Sequence, residues 1–151
     1  LAHLDPVGAL MLLVFRFGWA KPVPIDTRYF KKPRRDLFLV SIAGVTGNIL
    51  TAFAIGLLIR LFPSFFLGNS ALRLFMFLMV AINVGLAVFN LIPIPPLDGS
   101  KILYVLLPPQ WLEKYFWLEQ YGFIILMVLL ALGVIQAFMN PIVFLLIRWI
   151  L

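Results

Sequence analysis

The sequence contains no cysteine. Disulfides, thiolate metal sites and cysteine nucleophiles are therefore excluded, and the redox compartment is left open. Charge is scarce. Of the 151 residues, 12% are Asp, Glu, Lys or Arg against 64% apolar, and mean hydropathy is +1.09. A soluble domain is about half apolar and about a quarter charged. At the composition found here it would expose contiguous apolar patches of a kind that soluble monomers avoid. Acids are scarcer still, 6 against 12 cations, and there is one histidine, His3. No charged segment followed by a short apolar core and a cleavage site opens the chain, so its first residues are not expected to be a signal peptide. These absences leave a membrane protein whose length suits a single membrane-embedded domain over residues 1–151.

The net charge of +6 raises the possibility of nucleic acid, but the positions of the cations oppose it. Arg28, Lys31, Lys32, Arg34 and Arg35 crowd in front of a long apolar run. That placement fits a cytoplasmic, positive-inside flank, and no interleaving of aromatic and basic residues recurs elsewhere. A helix crossing a bilayer needs about 20 apolar residues. Leu37–Phe62, Ala71–Asn90 and Leu118–Met139 meet that length, while Pro141–Leu151 is apolar but too short to cross alone. Pro6–Phe17 is also short and reads as the end of a span or a half-buried segment. In Gly18–Ile25, Pro22 and Pro24 forbid a regular helix. The expected architecture is an all-α polytopic membrane protein with three full transmembrane helices and partial spans. A small extended hairpin or re-entrant loop near residues 18–25 completes it.

One run stands out chemically: Asn90-Leu91-Ile92-Pro93-Ile94-Pro95-Pro96-Leu97-Asp98-Gly99. Three prolines end an apolar span, stiffen the loop and remove backbone donors that would need partners. Gly99 permits a turn that other residues resist. The carboxylate of Asp98 is thereby held on a rigid support at membrane depth, where an ionisable group points to function. It suits a zinc ligand or a proton carrier. The plainer alternative is that Asp98 caps a helix beginning at Ser100 or Lys101, or sits in headgroup water.

Asn90–Gly99 resembles the Asn-x-x-Pro-x-Pro-x-x-Asp-Gly motif of the site-2 protease family of intramembrane zinc metalloproteases. Leu1–Gly8 and Gly18–Ile25 resemble segments of its short microbial members in order and spacing. Gly44-Val45-Thr46-Gly47-Asn48 is similar to the family's Gly-x-x-x-Asn motif, with Val45 where members often carry proline. The resemblance implies that Asp98 is the third ligand of a zinc ion. A His-Glu-x-x-His helix would supply the other two ligands and a glutamate acting as base and then acid. It further implies that Asn48, Asn90, Gly44, Pro95 and Gly99 line the active site. The hairpin around Lys21–Pro24 would border substrate access and pair with an unwound substrate by strand addition. No His-Glu-x-x-His occurs in the sequence, so no catalytic residue is assigned within it. The chain also starts without Met, and the expectation is an interior starting point with that helix upstream.

The activity implied is hydrolysis of peptide bonds in or near transmembrane segments of other proteins, in the cell membrane of a microbe with Arg28–Arg35 on the cytoplasmic side. A relative that binds such segments without cutting them is the alternative. A small transporter subunit is a third reading, weakened because Leu37–Phe62 and Ala71–Asn90 contain no acid. His3 beside Asp5 reads as a loop histidine, and Asp5-Pro6 as a helix start. Gly44, Gly47 and Gly56 suit close helix packing, and Asn48 an interhelical hydrogen bond. Glu113 and Glu119, among Trp111, Tyr115, Phe116, Trp117 and Tyr121, read as solvated charges in an interfacial aromatic belt.

Overall fold

The first long helix of the computed structural model, α1 (Pro33–Leu61), begins four residues ahead of the expected apolar run. Pro33 stands at its first position, where a missing N–H costs nothing. The Asp36 carboxylate accepts the Lys32 backbone N–H at 2.9 Å, so a polar first turn is helical without being apolar. The helix stops at Phe62 because Pro63 disfavours helical backbone in the residue before it. The structure describes residues 30–151, and Lys31–Leu151 form one compact unit. The hairpin at 18–25, the Pro6–Phe17 segment, His3, Asp5 and Arg28 lie outside the described residues.

A short helix, α2 (Pro63–Leu67), turns the chain into α3 (Ser70–Asn90). Asn69 caps α3, its side-chain oxygen accepting the N–H groups of Ala71 and Leu72 at 2.9 and 3.2 Å. After the proline loop come α4 (Asp98–Leu106), a single tight turn at Pro109–Trp111, α5 (Leu112–Ala131) and α6 (Val134–Ile150). Every regular element among the described residues is helical. Pro33–Leu61, Ser70–Asn90 and Pro109–Ala131 are long and apolar enough to cross a membrane.

The third expected span, Leu118–Met139, is corrected: the structure breaks it at Leu132–Gly133. Gly133 takes a left-handed backbone with φ 73°, and its N–H bonds to the Leu130 carbonyl at 3.1 Å. That is how glycine ends a helix, and apolar character runs straight through the break. Pro141–Leu151, expected as a separate short piece, is the larger part of α6. Glu113 and Glu119 lie on α5 and are exposed, as solvated charges should be.

Small residues let the helices approach closely, which is how helices associate without a hydrophobic drive between them. Ala52 on α1 is fully buried against Val80, Val84 and Val88, a stripe down one face of α3. Gly56 meets Ile150 at the end of α6 so tightly that a Cβ would stand 2.5 Å from its side chain. Ile135, near the start of α6, packs instead with Ile92, Leu97 and Leu126. Thus α6 runs parallel to α1 and antiparallel to α3, and the chain enters α6 at the end of the bundle where it left α3. Outward-facing Leu50, Leu57, Leu61, Phe75 and Phe144 are each more than half exposed, an apolar exterior suited to lipid.

Candidate metal centre

The loop Leu91–Leu97 is rigid because its backbone donors are all used. Leu91, Ile92, Ile94 and Leu97 are its only residues with an N–H, and each donates to a carbonyl of the α3 end or of the loop itself. Pro93, Pro95 and Pro96 have none to satisfy. The Pro95–Pro96 peptide bond is cis. Two glycines hold this loop in place. A Cβ on Gly99 would strike the carbonyl oxygens of Leu91 and Ile92, so the start of α4 rests directly on the end of α3. A Cβ on Gly122 of α5 would stand 2.7 Å from the Pro95 carbonyl oxygen and 2.8 Å from its Cβ, so α5 seats against the buried Pro95.

Asp98 is the first residue of α4, where the helix dipole favours a carboxylate. It does not cap a later helix. The cap position belongs to Leu97, whose side chain offers no acceptor. One carboxylate oxygen, Oδ1, accepts from the Lys101 ammonium at 2.8 Å. The other, Oδ2, lies 3.7 Å from where a Cβ on Gly44 would stand. The carboxylate is only 28% exposed, one oxygen tied and the other facing a bare stretch of α1. Beneath it, the buried Ser100 hydroxyl donates to the Leu97 carbonyl at 2.7 Å and interacts with the Tyr115 hydroxyl. Tyr115 is buried too, its ring tilted against that of Tyr104 at 5.0 Å, unlike the exposed Phe116 and Trp117 beside it.

Of the residues singled out in the sequence, Gly44 and Asp98 meet, while Pro95 and Gly99 form their support. Asn48 lies one turn beyond Gly44 on α1 and Asn90 ends α3. Both are half-buried and without a hydrogen-bond partner among the described residues, so the expected interhelical bond of Asn48 is not formed there. Nothing stands within 4 Å of a Cβ built on Gly47. The sequence reading missed Lys101, Ser100 and Gly122. Lys101 was open to discovery, since an acid and a base three apart on a helix are neighbours.

A catalytic zinc takes three protein ligands. No three His, Cys, Asp or Glu side chains come together among the described residues, so the part of such a site that this region could provide is a single ligand, Asp98. Its geometry fits that part: an oxygen donor with one free oxygen, held by a rigid loop and a second contact.

These features define an α-helical membrane protein with a half-buried carboxylate presented by a proline-rich loop against a neighbouring helix. Residues 66–135, spanning α3, the loop, α4 and α5, match the model for Peptidase family M50. The chain is 42% identical over 132 residues to a Bacillus subtilis (strain 168) protein named "Putative zinc metalloprotease YwhC". That alignment covers 84% of this chain and 60% of the relative. The resemblance to the site-2 protease family is thereby borne out, as similarity to a family of membrane zinc metalloproteases. No solved structure matches the chain.

Proposed function

We propose that this chain forms the aspartate-bearing part of an intramembrane zinc metalloprotease that hydrolyses peptide bonds in or near transmembrane segments of other membrane proteins. Asp98 carries this reading. With Arg34 and Arg35 at the cytoplasmic surface of a cell membrane, Gly44 lies 9 residues beyond Arg35, or about 14 Å along the helix. That is well inside a hydrocarbon core about 30 Å thick. A carboxylate at such depth is costly unless something there uses it.

Asp98 would be the third zinc ligand through Oδ2, with Lys101 holding Oδ1 and fixing the plane of the carboxylate. Gly44 keeps the approach to Oδ2 free of side-chain atoms. Asn48 and Asn90 would line the site and hydrogen-bond a substrate backbone unwound from its helix. When bound, zinc supplies a Lewis acid that polarises the scissile carbonyl and activates water near neutral pH. The two histidines and the glutamate that the resemblance calls for are not among these 151 residues.

The test uses the full-length protein in vesicles with a reporter carrying one transmembrane segment. Cleavage that stops with a chelator, returns with zinc and is lost in Asp98→Ala supports the proposal. Cleavage by Asp98→Ala at the wild-type rate, or binding of the segment without cleavage by the wild type, overturns it.

A further inference from the structure

At the end of the bundle remote from Asp98, the last turns of α1 and α6 enclose a groove of about 640 Å³. This lies within the roughly 300–1,000 Å³ range of ligand sites. Its walls are apolar, from Leu50, Phe53 and Leu57. Its rim carries two guanidinium groups, Arg60 and Arg148, beside Trp149. The rim is built rather than loose. Arg60 donates to the Trp149 carbonyl at 2.8 Å, and the Trp149 ring meets Phe53 edge-on at 5.3 Å. A guanidinium has five N–H donors, so Arg60 keeps most of them free.

Charge at this end is one-sided. No carboxylate lines the groove, and neither arginine forms an ion pair among the described residues. Arg73, in the first turn of α3, adds a third cation at the same end. Along α1, Arg60 is 25 residues from Arg35, about 37 Å by helix rise. If Arg35 stands at one headgroup layer, Arg60 reaches the other. An apolar slot running into the membrane from two unneutralised guanidinium groups at headgroup depth matches one chemistry. Arginine pairs bidentately with phosphate, and acyl chains fill apolar grooves.

We infer that this groove binds an anionic phospholipid, its phosphate held by Arg60 and Arg148 and an acyl chain laid along Leu50, Phe53 and Leu57. The site is separate from the metal centre and independent of any protease activity.

The experiment is native mass spectrometry of the full-length protein, released from nanodiscs of mixed phosphatidylglycerol and phosphatidylcholine. Wild type is expected to retain phosphatidylglycerol preferentially. The double variant Arg60→Gln/Arg148→Gln should lose that preference by about tenfold or more, since two charge-assisted contacts go. Ala54→Trp fills the groove while keeping both charges, and should reduce retention as well. Wild-type retention of phosphatidylglycerol by the double variant overturns the inference, as does full retention by Ala54→Trp. Displacement of the lipid by millimolar inorganic phosphate would also overturn it, by showing a site for the free anion.

Discussion

Replacing Gly122 with alanine adds one carbon where the proline loop meets α5. That carbon would stand 2.7, 2.8 and 2.9 Å from the carbonyl oxygen, Cβ and Cδ of Pro95. Ordinary contact begins near 3.4 Å, so α5 or the loop must give by about half an ångström, and cores overpacked in this way lose about 1–3 kcal/mol. Pro95 cannot turn aside, because its ring is fixed to the backbone and it is buried. Alanine also recovers up to about 1 kcal/mol of helix propensity, which obscures the loss in a single variant. Gly85→Ala on α3 removes that ambiguity. Nothing lies within 4 Å of its Cβ, so it carries the propensity gain without the contact. The difference between the two alanine variants is then the contact itself, about 1–3 kcal/mol, or a few degrees in Tm per kcal/mol for a chain of this size. Thermal unfolding of the full-length protein in detergent reads it directly. Gly122→Ala should melt below wild type and Gly85→Ala at or above it. Equal shifts in the two would refute the seating of α5 on Pro95.

Gly44 should respond in graded fashion. Alanine makes an ordinary 3.7 Å contact with Asp98 Oδ2 and should be tolerated, whereas leucine pushes further carbons against that oxygen. Zinc retention should fall about tenfold or more in Gly44→Leu, as when support of a metal ligand is disturbed, with helix content by circular dichroism unchanged. Ser100→Ala removes a buried donor to the Leu97 carbonyl. It should cost about 1 kcal/mol, measured as a Tm shift.

What was legible in the sequence was what depends on local composition. Apolar run length placed α1 and α3 to within a few residues, and three prolines and a glycine marked the rigid loop around Asp98. What escaped was set by single residues or by distant partners. The break at Gly133 is invisible to hydropathy, because apolar residues continue on both sides and only the backbone angle changes. The direction of α6 follows from Ile135 meeting Leu97 and Ile150 meeting Gly56, contacts between positions far apart in the chain. Gly122 carries no local sign that Pro95 lies against it. Gly44 was picked out through its motif, but its facing Asp98 Oδ2 needed the packing of α4 on α1. Lys101 was passed over because the helix weighed in the sequence began at Ser100 or Lys101, which leaves Asp98 outside it; with Asp98 as the first residue of α4 the three-residue spacing makes the two side chains neighbours.

The role of Asp98 rests on whether it binds metal, and zinc content measures this most directly. The full-length wild-type protein and Asp98→Asn would be purified side by side, equilibrated against graded zinc buffers and measured by elemental mass spectrometry. The substitution keeps the shape of the side chain and its place at the start of α4, while removing the negative charge through which a carboxylate binds zinc. Zinc retained by wild type and lost from a still-folded Asp98→Asn is the predicted result. Equal zinc in the two proteins at every buffered concentration would contradict it.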